Sequence, residues 1–551
     1  MSKKLSYRKA PNMKHTLLLL LITSIVLPAA AQEKLPADYL TPAFHAGRRE
    51  ALRAQMPPRS VTVIFSYPTR TFSNDVSYPY HPNPDLYYFS GYKEPQAVLL
   101  IFKEPQKTAD GKMVRELFFV QKRDPKEESW TGRRLGVEKV KSELGFDDGT
   151  VFNGSAFKDY PIDFSSFDQI FFSGLPDDVH DDLFDAADLY DLMQAFRKKA
   201  VLPDDYDGSV YSFAGLLAEK TTPSQLKDDI AFVNLRRAGN EKFRNSQFLT
   251  DYVNLKDSAG LAAFRQRLAN LKWNSYRYDV MMASLREIKT PEEMALMRKT
   301  VSISAIAHAE VMKAIRPGMG EAELAGLQEY VHKKLGAEYV GYPSIVGAGS
   351  NGCILHYEEN ALVNISRDMV LMDIGAEYHG YSADVTRTVP STGKFSPEQK
   401  AIYDLVYQAQ EAIFPLCHEG TPFGDLNKKA TEVLAAGLIK LGLIKDATQV
   451  TRYYPHGCSH FLGLDVHDVG NDDGPLKENM VITVEPGIYI PAGSDCDKKW
   501  WNIGVRIEDD VRIGKEKYEL LSWQAPRRSA DVEKMRLQKS GVSGLVLPVV
   551  K

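Results

Sequence analysis

The rhythm of apolar and polar positions changes near residue 290, and the two halves predict different architectures. In the first half, the amphipathic stretch "HAGRREALRAQM" predicts a helix, and the apolar runs "SVTVIF", "AVLLIF" and "ELFFVQ" predict strands. Their alternation is that of an α/β domain spanning about Thr41 to Lys289. Residues from about Asp147 to Asp257 are acidic and uneven, as in "LPDDVHDDLFDAADLYD". They read as an elaboration of that domain with a solvated charged face.

Beyond Lys289 the pattern becomes helical. Thr290-Pro291-Glu292-Glu293 supplies an N-cap, a proline at the first helical position and a glutamate three residues after the cap. Met294, Met297, Val301 and Ala305 then fall on one stripe, continued by His308 and Met312, with His308 expected at the edge of the packed face. Pro317-Gly318 ends this helix before "GEAEL" starts another. Further on, "DMVLMDIGAEY" and "GYSADVTRTV" predict two strands around a tight turn.

Two segments stand outside these domains. Lys3, Lys4, Arg8, Lys9 and Lys14 precede the apolar run "TLLLLLITSIVLP", and Ala29-Ala30-Ala31 offers a small-residue cleavage site before Gln32. The run is shorter than the ~20 apolar residues a membrane-spanning helix needs. Residues 1–31 therefore read as an export signal, placing the mature chain in the periplasm or outside the cell with no stable membrane anchor. At the other end, residues 526–551 form a tail beyond the last strand-like run.

Composition narrows the classes. A chain of 551 residues, 44% hydrophobic and 25% charged, has the make-up of a soluble globular protein of two or three domains. Its net charge of −4 and lack of a Lys/Arg block give no basic face for nucleic acid. Four widely spaced cysteines, Cys353, Cys417, Cys458 and Cys496, exclude a disulfide scaffold and a CxxC metal site. They read as small buried apolar residues.

The candidate chemistry begins at the predicted hairpin. With Tyr378 and His379 as its turn, Asp373 lies opposite Asp384 on one face, and cross-strand partners have Cβ atoms ~4.5–5.5 Å apart. Two carboxylates so placed among apolar residues repel, which calls for positive charge between them. An isolated pair of acids at this spacing is ordinarily a solvent-facing turn, but other segments change that judgement. His456, His460 and His467 cluster within "HGCSHFLGLDVH", three of only 12 histidines. Glu485 ends the strand-like run "MVITVE", and Arg506 and Glu508 alternate with apolar Val505 and Ile507. Asp373, Asp384, Glu485 and Glu508 with the imidazole of His460 make the ligand set of a dinuclear centre. Four carboxylates balance two divalent cations, whereas one cation would leave two buried charges unmatched. Carboxylate-rich ligation favours Mn²⁺, with Zn²⁺ and Co²⁺ as alternatives.

In order along the chain, "NGCILHY", "GYSADVTRT", "HGCSHFLGLDVHDVG", "VEPGIY" and "VRIEDD" resemble the catalytic half of the Xaa-Pro aminopeptidase (aminopeptidase P) branch of the pita-bread metallopeptidases. That branch is related to prolidase, methionine aminopeptidase and creatinase. "YPYHPNPDLYYFSGYKEP" and "SWTGRRLG" resemble its amino-terminal domain. The resemblance implies an α/β domain over 32–288 and an α+β pita-bread catalytic domain over 289–525. It implies that Asp373 chelates one metal, Asp384 and Glu508 bridge both, and His460 and Glu485 complete the second. Glu485 would also act as general base, with His356 and His467 steadying the tetrahedral intermediate and the proline carbonyl. His456, Tyr489 and Arg506 match substrate-binding or supporting positions. Trp130 matches a tryptophan that reaches a neighbouring subunit's active site, which implies a dimer or tetramer. His379 and His418 match nothing and are expected at the surface or in turns. The length of the 150–260 segment and the tail after Arg527 depart from the pattern.

The resulting expectation is an exported two-metal exopeptidase releasing the first residue of peptides with proline second. The alternatives are a prolidase restricted to dipeptides, a fold relative that has lost its chemistry, and metal-free creatinase-like hydrolysis. The complete ligand set argues against the last two.

Overall fold

The computed structural model describes residues 38–544 except 109, 184 and 205. The export signal read at 1–31 and the last residues of the tail lie outside the described residues.

The first half is built on a mixed five-stranded sheet. Its order is Val151–Asn153, Met113–Val120, Val98–Lys107, Ser60–Phe65 and Gln169–Phe171. The three inner strands are antiparallel and both edge strands join in parallel. The strand Ser60–Phe65 is buried throughout, and its alternate side chains feed two different cores, as the two-residue period of a strand requires. Val61, Val63 and Phe65 meet Phe196 and Phe172 on one face. On the other face, Ile64 belongs to a core with Phe44, Leu52 and Leu99 that continues through Met297 and Val301 to Ala383 and Leu464. One apolar interior thus joins the sheet domain to the second half.

The acidic elaboration is more regular than its sequence pattern. Helices Gly208–Lys220, Leu226–Gly239, Gln247–Val253 and Ser258–Ala269 close around a separate small core of Val210, Leu249, Tyr252 and Phe264. The helix Ser275–Arg286 then leads to the junction.

The junction helix, Pro291–Ala314, starts with the expected capping box, Thr290 and Glu293 bonding reciprocally. His308 is fully buried, not at an edge, with Nε2 3.2 Å from the Ile374 carbonyl. The helix is covered on two sides, by the hairpin strands and by the helix Glu321–Lys334, so its apolar face is wider than one stripe.

Behind it lie short antiparallel sheets. Ile345–Ala348, Met369–Asp373 and Thr386–Pro390 form one; Val481–Val484, Asp509–Arg512 and Glu519–Leu520 another; Gly487–Ile490 pairs with Ile503–Arg506. Helices Pro397–Ile413 and Phe423–Lys440 pack over them through Ile402, Val406 and Leu434 against Ile482, Val484 and Val505.

The hairpin register differs from the sequence expectation. The turn is His379-Gly380, with φ of 51° and 85°, and Tyr378 pairs with Tyr381. A two-residue hairpin turn matching strand twist wants positive φ at both positions, and the glycine supplies one at no cost. His379 tolerates the other because Glu338 accepts from its backbone N–H at 3.1 Å; it is buried, not a surface residue. Asp373 therefore pairs with Thr386, and Asp384 sits diagonally across. The chain kinks at Gly375, where an added Cβ would lie 1.7 Å from the Ala383 carbonyl oxygen. His418 sits in the turn after Phe414–Leu416, as expected.

The tail is docked against the second half. Its helix Ser529–Met535 buries Val532 in the main core, and Ser540 donates to the Glu310 carbonyl at 3.0 Å. All four cysteines are free, with Cys417 and Cys458 buried. Among the described residues no helix is long and apolar enough to cross a membrane.

Candidate metal centre and active site

The ends of the short strands converge on a cleft of about 290 Å³. Asp373 is the last residue of Met369–Asp373, and Glu485 directly follows Val481–Val484. Glu508 lies between Ile503–Arg506 and Asp509–Arg512, and Asp384 precedes Thr386–Pro390. His460 comes from the loop before Val481. Each carboxylate is thus carried at a strand end, where the backbone is fixed by its ladder and the side chain reaches past it.

The five expected ligands come together. Ligand atoms of Asp384, His460 and Glu508 all lie within 4.8 Å of one another. His460 Nε2 is 3.3 Å from Asp384 and 3.5 Å from Glu485, while its Nδ1 faces the Phe461 carbonyl at 2.9 Å. Thr386 donates to Glu508 at 2.6 Å. The Tyr342 hydroxyl lies between Asp373 and Asp384, within hydrogen-bond distance of both at 2.5 and 2.6 Å.

Electrostatics show how crowded with negative charge the site is. Burial pushes the Glu508 carboxyl well above its ordinary range, and Asp384, Glu485 and Asp373 add to the shift. Burial raises Glu485 to about 7, with His460 and Arg506 opposing a larger change. Asp384 is raised by burial and by Asp373. Only Asp373 is lowered: burial opposes its charge, but Arg506 and the Tyr342 hydroxyl outweigh it. Burial likewise opposes charge on His460, yet Asp384 and Glu485 raise its imidazole to about 9. Asp510, fully buried beneath, accepts from the Asp384 N–H at 3.0 Å, and its Oδ1 has no protein partner. This donor set, oxygen-rich with one imidazole and short of cations, fits divalent metal ions.

Supporting residues take two layers. Arg506, with a side chain only 4% exposed, bonds Asp373, Tyr489 (2.9 Å) and Thr386 (3.1 Å). Tyr489 is buried and also meets His456 Nε2 at 2.9 Å. Arg506 and His456 line the cleft and Tyr489 joins them from outside its lining, while His356 and His467 are exposed on the cleft wall, with the His467 and His460 rings 4.4 Å apart edge to face. Trp130 stands apart: it is 84% exposed on the short helix Pro125–Thr131 and does not line the cleft.

Comparison with known proteins gives this site its context. Residues 295–515 match the model of metallopeptidase family M24, and residues 45–160 match the aminopeptidase P N-terminal domain. The Xaa-Pro aminopeptidase of Escherichia coli is 32% identical over 497 residues, covering 88% of this chain and 96% of that protein. The chain belongs to the Xaa-Pro aminopeptidase branch of family M24. Solved structures agree: E. coli aminopeptidase P with the inhibitor Pro-Leu matches at TM-score 0.69 and 30% identity, covering 91% of this chain and 99% of that one. An aminopeptidase of Pseudomonas aeruginosa matches at TM-score 0.69 and 29% identity, covering 90% and 98%. The fold is accordingly an aminopeptidase P amino-terminal domain followed by the pita-bread catalytic domain, and the protein is a metallo-aminopeptidase.

Within this M24 site, Tyr342, Thr386 and Asp510 escape sequence reading. Tyr342 in "EYVGYPS" has no local signal, since its two aspartate partners lie 31 and 42 residues on. Thr386 and Asp510 look like ordinary strand residues, and only the sheet pairing brings them to the carboxylates.

Proposed function

We propose that this enzyme is an exported, dinuclear-metal exopeptidase that releases the first residue from Xaa-Pro-Yaa peptides, including longer ones. The observation that carries the reading is the meeting of three buried carboxylates, the partly exposed Glu485 and His460 in a cleft walled by His356 and His467. Asp373, Asp384, Glu508, His460 and Glu485 would hold the two ions, most favourably Mn²⁺, with Zn²⁺ and Co²⁺ as alternatives. Such ions supply Lewis acidity toward the scissile carbonyl and the attacking water.

The chain's own groups do the rest. Glu485, raised to about 7 by burial, takes the proton of the attacking water and returns it to the leaving proline nitrogen. Burial, followed by the charges of His460 and His356, lowers His467, so at neutral pH it is a neutral imidazole with one N–H for a peptide carbonyl. A proline in second position offers a tertiary amide and a fixed φ, which a rigid pocket accommodates. Arg506 favours the aminopeptidase over a strict prolidase, because its guanidinium is spent on Asp373, Tyr489 and Thr386 and is not free for a dipeptide carboxylate. With Mn²⁺, the purified enzyme is expected to release the first residue from tripeptides and longer peptides with proline second. Cleavage of Xaa-Pro dipeptides alone would make it a prolidase.

Two features point to location and assembly. The leader ending near Ala31 supports export, and the exposed Trp130 supports a dimer or tetramer in which the indole is covered, since an exposed indole leaves a large apolar area in water. Native mass spectrometry of the natural protein is expected to show a chain starting near Gln32 in a dimer or tetramer. A fully active monomer that retains residues 1–31 would reject both.

A further inference from the structure

At the junction of the two domains, one buried guanidinium serves three carboxylates. Arg286, the last residue of the helix Ser275–Arg286, bonds Asp85 at 2.8 Å, Asp465 at 2.7 Å and Asp468 at 2.5 Å. Asp85 belongs to the amino-terminal domain and also accepts from Tyr278 at 2.7 Å. Asp465 and Asp468 belong to the catalytic domain, on either side of His467. Lys289 completes the cluster, donating to Asp468 at 3.0 Å and to the Arg286 carbonyl at 2.6 Å.

We infer that Arg286 is a positioning residue for catalysis, holding His467 in place through the aspartates that flank it. This rests on the reading of His467 as a carbonyl donor. The loop is pinned from below at several points. Asp468 Oδ1 also accepts from Val469 N–H at 2.9 Å, and its own N–H reaches the Phe461 carbonyl at 3.0 Å. Gly463 N–H meets the Asp465 carbonyl at 3.1 Å. Gly463 is itself fitted to the cluster, because a Cβ there would lie 2.0 Å from Asp468 Oδ2 and 2.9 Å from Lys289 Nζ. Between these anchors the imidazole of His467 projects into the cleft against the ring of His460.

A buried ionic cluster is an expensive way to gain stability, since desolvation offsets much of the attraction. Its forked geometry does fix orientation, because a planar guanidinium bonds its carboxylates along set directions. A misplacement of about 1 Å at a reacting centre costs on the order of 10²-fold in rate. The cluster therefore makes the seating of the amino-terminal domain a determinant of turnover.

The test is a double-mutant cycle with Mn²⁺-loaded full-length enzyme on an Xaa-Pro-Yaa peptide. Arg286→Lys keeps the charge but loses the fork. It is expected to lower kcat about tenfold, with KM within about twofold and metal content unchanged. In a His467→Ala background the same change should cost less than about twofold, because the residue through which it acts is gone. Equal losses in both backgrounds, or none in either, would overturn the inference while leaving His467 in its role. A His467→Ala enzyme with unchanged kcat would overturn both. If Arg286→Lys does not fold, Asp465→Asn runs the same cycle, since that side chain is 45% exposed and its loss leaves the other ion pairs intact. A loss confined to the His467 background would support the inference, and equal losses would overturn it.

Discussion

Glu485→Gln is expected to leave a folded protein that still binds divalent metal but turns over about 10³-fold more slowly, within the range general acid–base catalysis contributes. The amide is nearly isosteric with the carboxylate and keeps an oxygen toward His460, so the surrounding ladder has no reason to move. What it loses is the proton acceptor. Burial raises the Glu485 carboxyl to about 7, against the pull of His460 and Arg506, and a carboxylate facing the attacking water can accept its proton and give it back within one cycle. No neighbour can substitute: Asp373 is tied to Arg506 and Tyr342, Glu508 to Thr386, and Asp384 to Tyr342 and His460. Turnover on an Xaa-Pro-Yaa peptide, metal content by elemental analysis and a thermal melt together check it. Turnover within tenfold of the parent enzyme would exclude Glu485 as the base.

The site's ligands were legible in the sequence and its support was not, for a physical reason. Asp373, Asp384, His460, Glu485 and Glu508 lie in short motifs whose spacing depends on local strand geometry. The same locality made the capping box at Thr290 readable, since cap and partner are three residues apart. The hairpin register was misread by one position on each strand. Gly380 carried the correct signal, because a two-residue turn with positive φ belongs on His379-Gly380. Even so, the two aspartates meet, because Tyr342 and the kink at Gly375 draw them together diagonally. Tyr342, Asp510 and Arg286 act on partners supplied by tertiary pairing, which no window of sequence contains. The helical packet over 208–269 was hidden differently: its core positions are few and separated by charged residues, so no helical period stands out.

Removing divalent ions with a chelator should abolish activity and lower the melting temperature, and adding Mn²⁺ should restore both. Asp373, Asp384, Glu485 and Glu508 line one cleft, and among the described residues Arg506 is the one permanent cation paired with them. Asp510 adds a fifth acid directly beneath Asp384. Taking such charges out of water without matching positive charge is costly, so bound cations stabilise the folded state as well as the reaction. Ions that bind only the folded chain contribute ~2.7 kcal/mol at 100 times their dissociation constant. With a shift of ~2–4 °C per kcal/mol in domains of 150–250 residues, the melt should fall by about 5–10 °C on chelation. His460→Ala should bind fewer ions per chain, because it removes the one imidazole of the set. Asp384→Asn should lose most of the chelator's effect on the melt, since it removes one of the carboxylates that would hold the ions. Restoration by Zn²⁺ or Co²⁺ in place of Mn²⁺ would reassign the native metal without changing the argument. Full activity in a chain shown by elemental analysis to carry no divalent metal would end it.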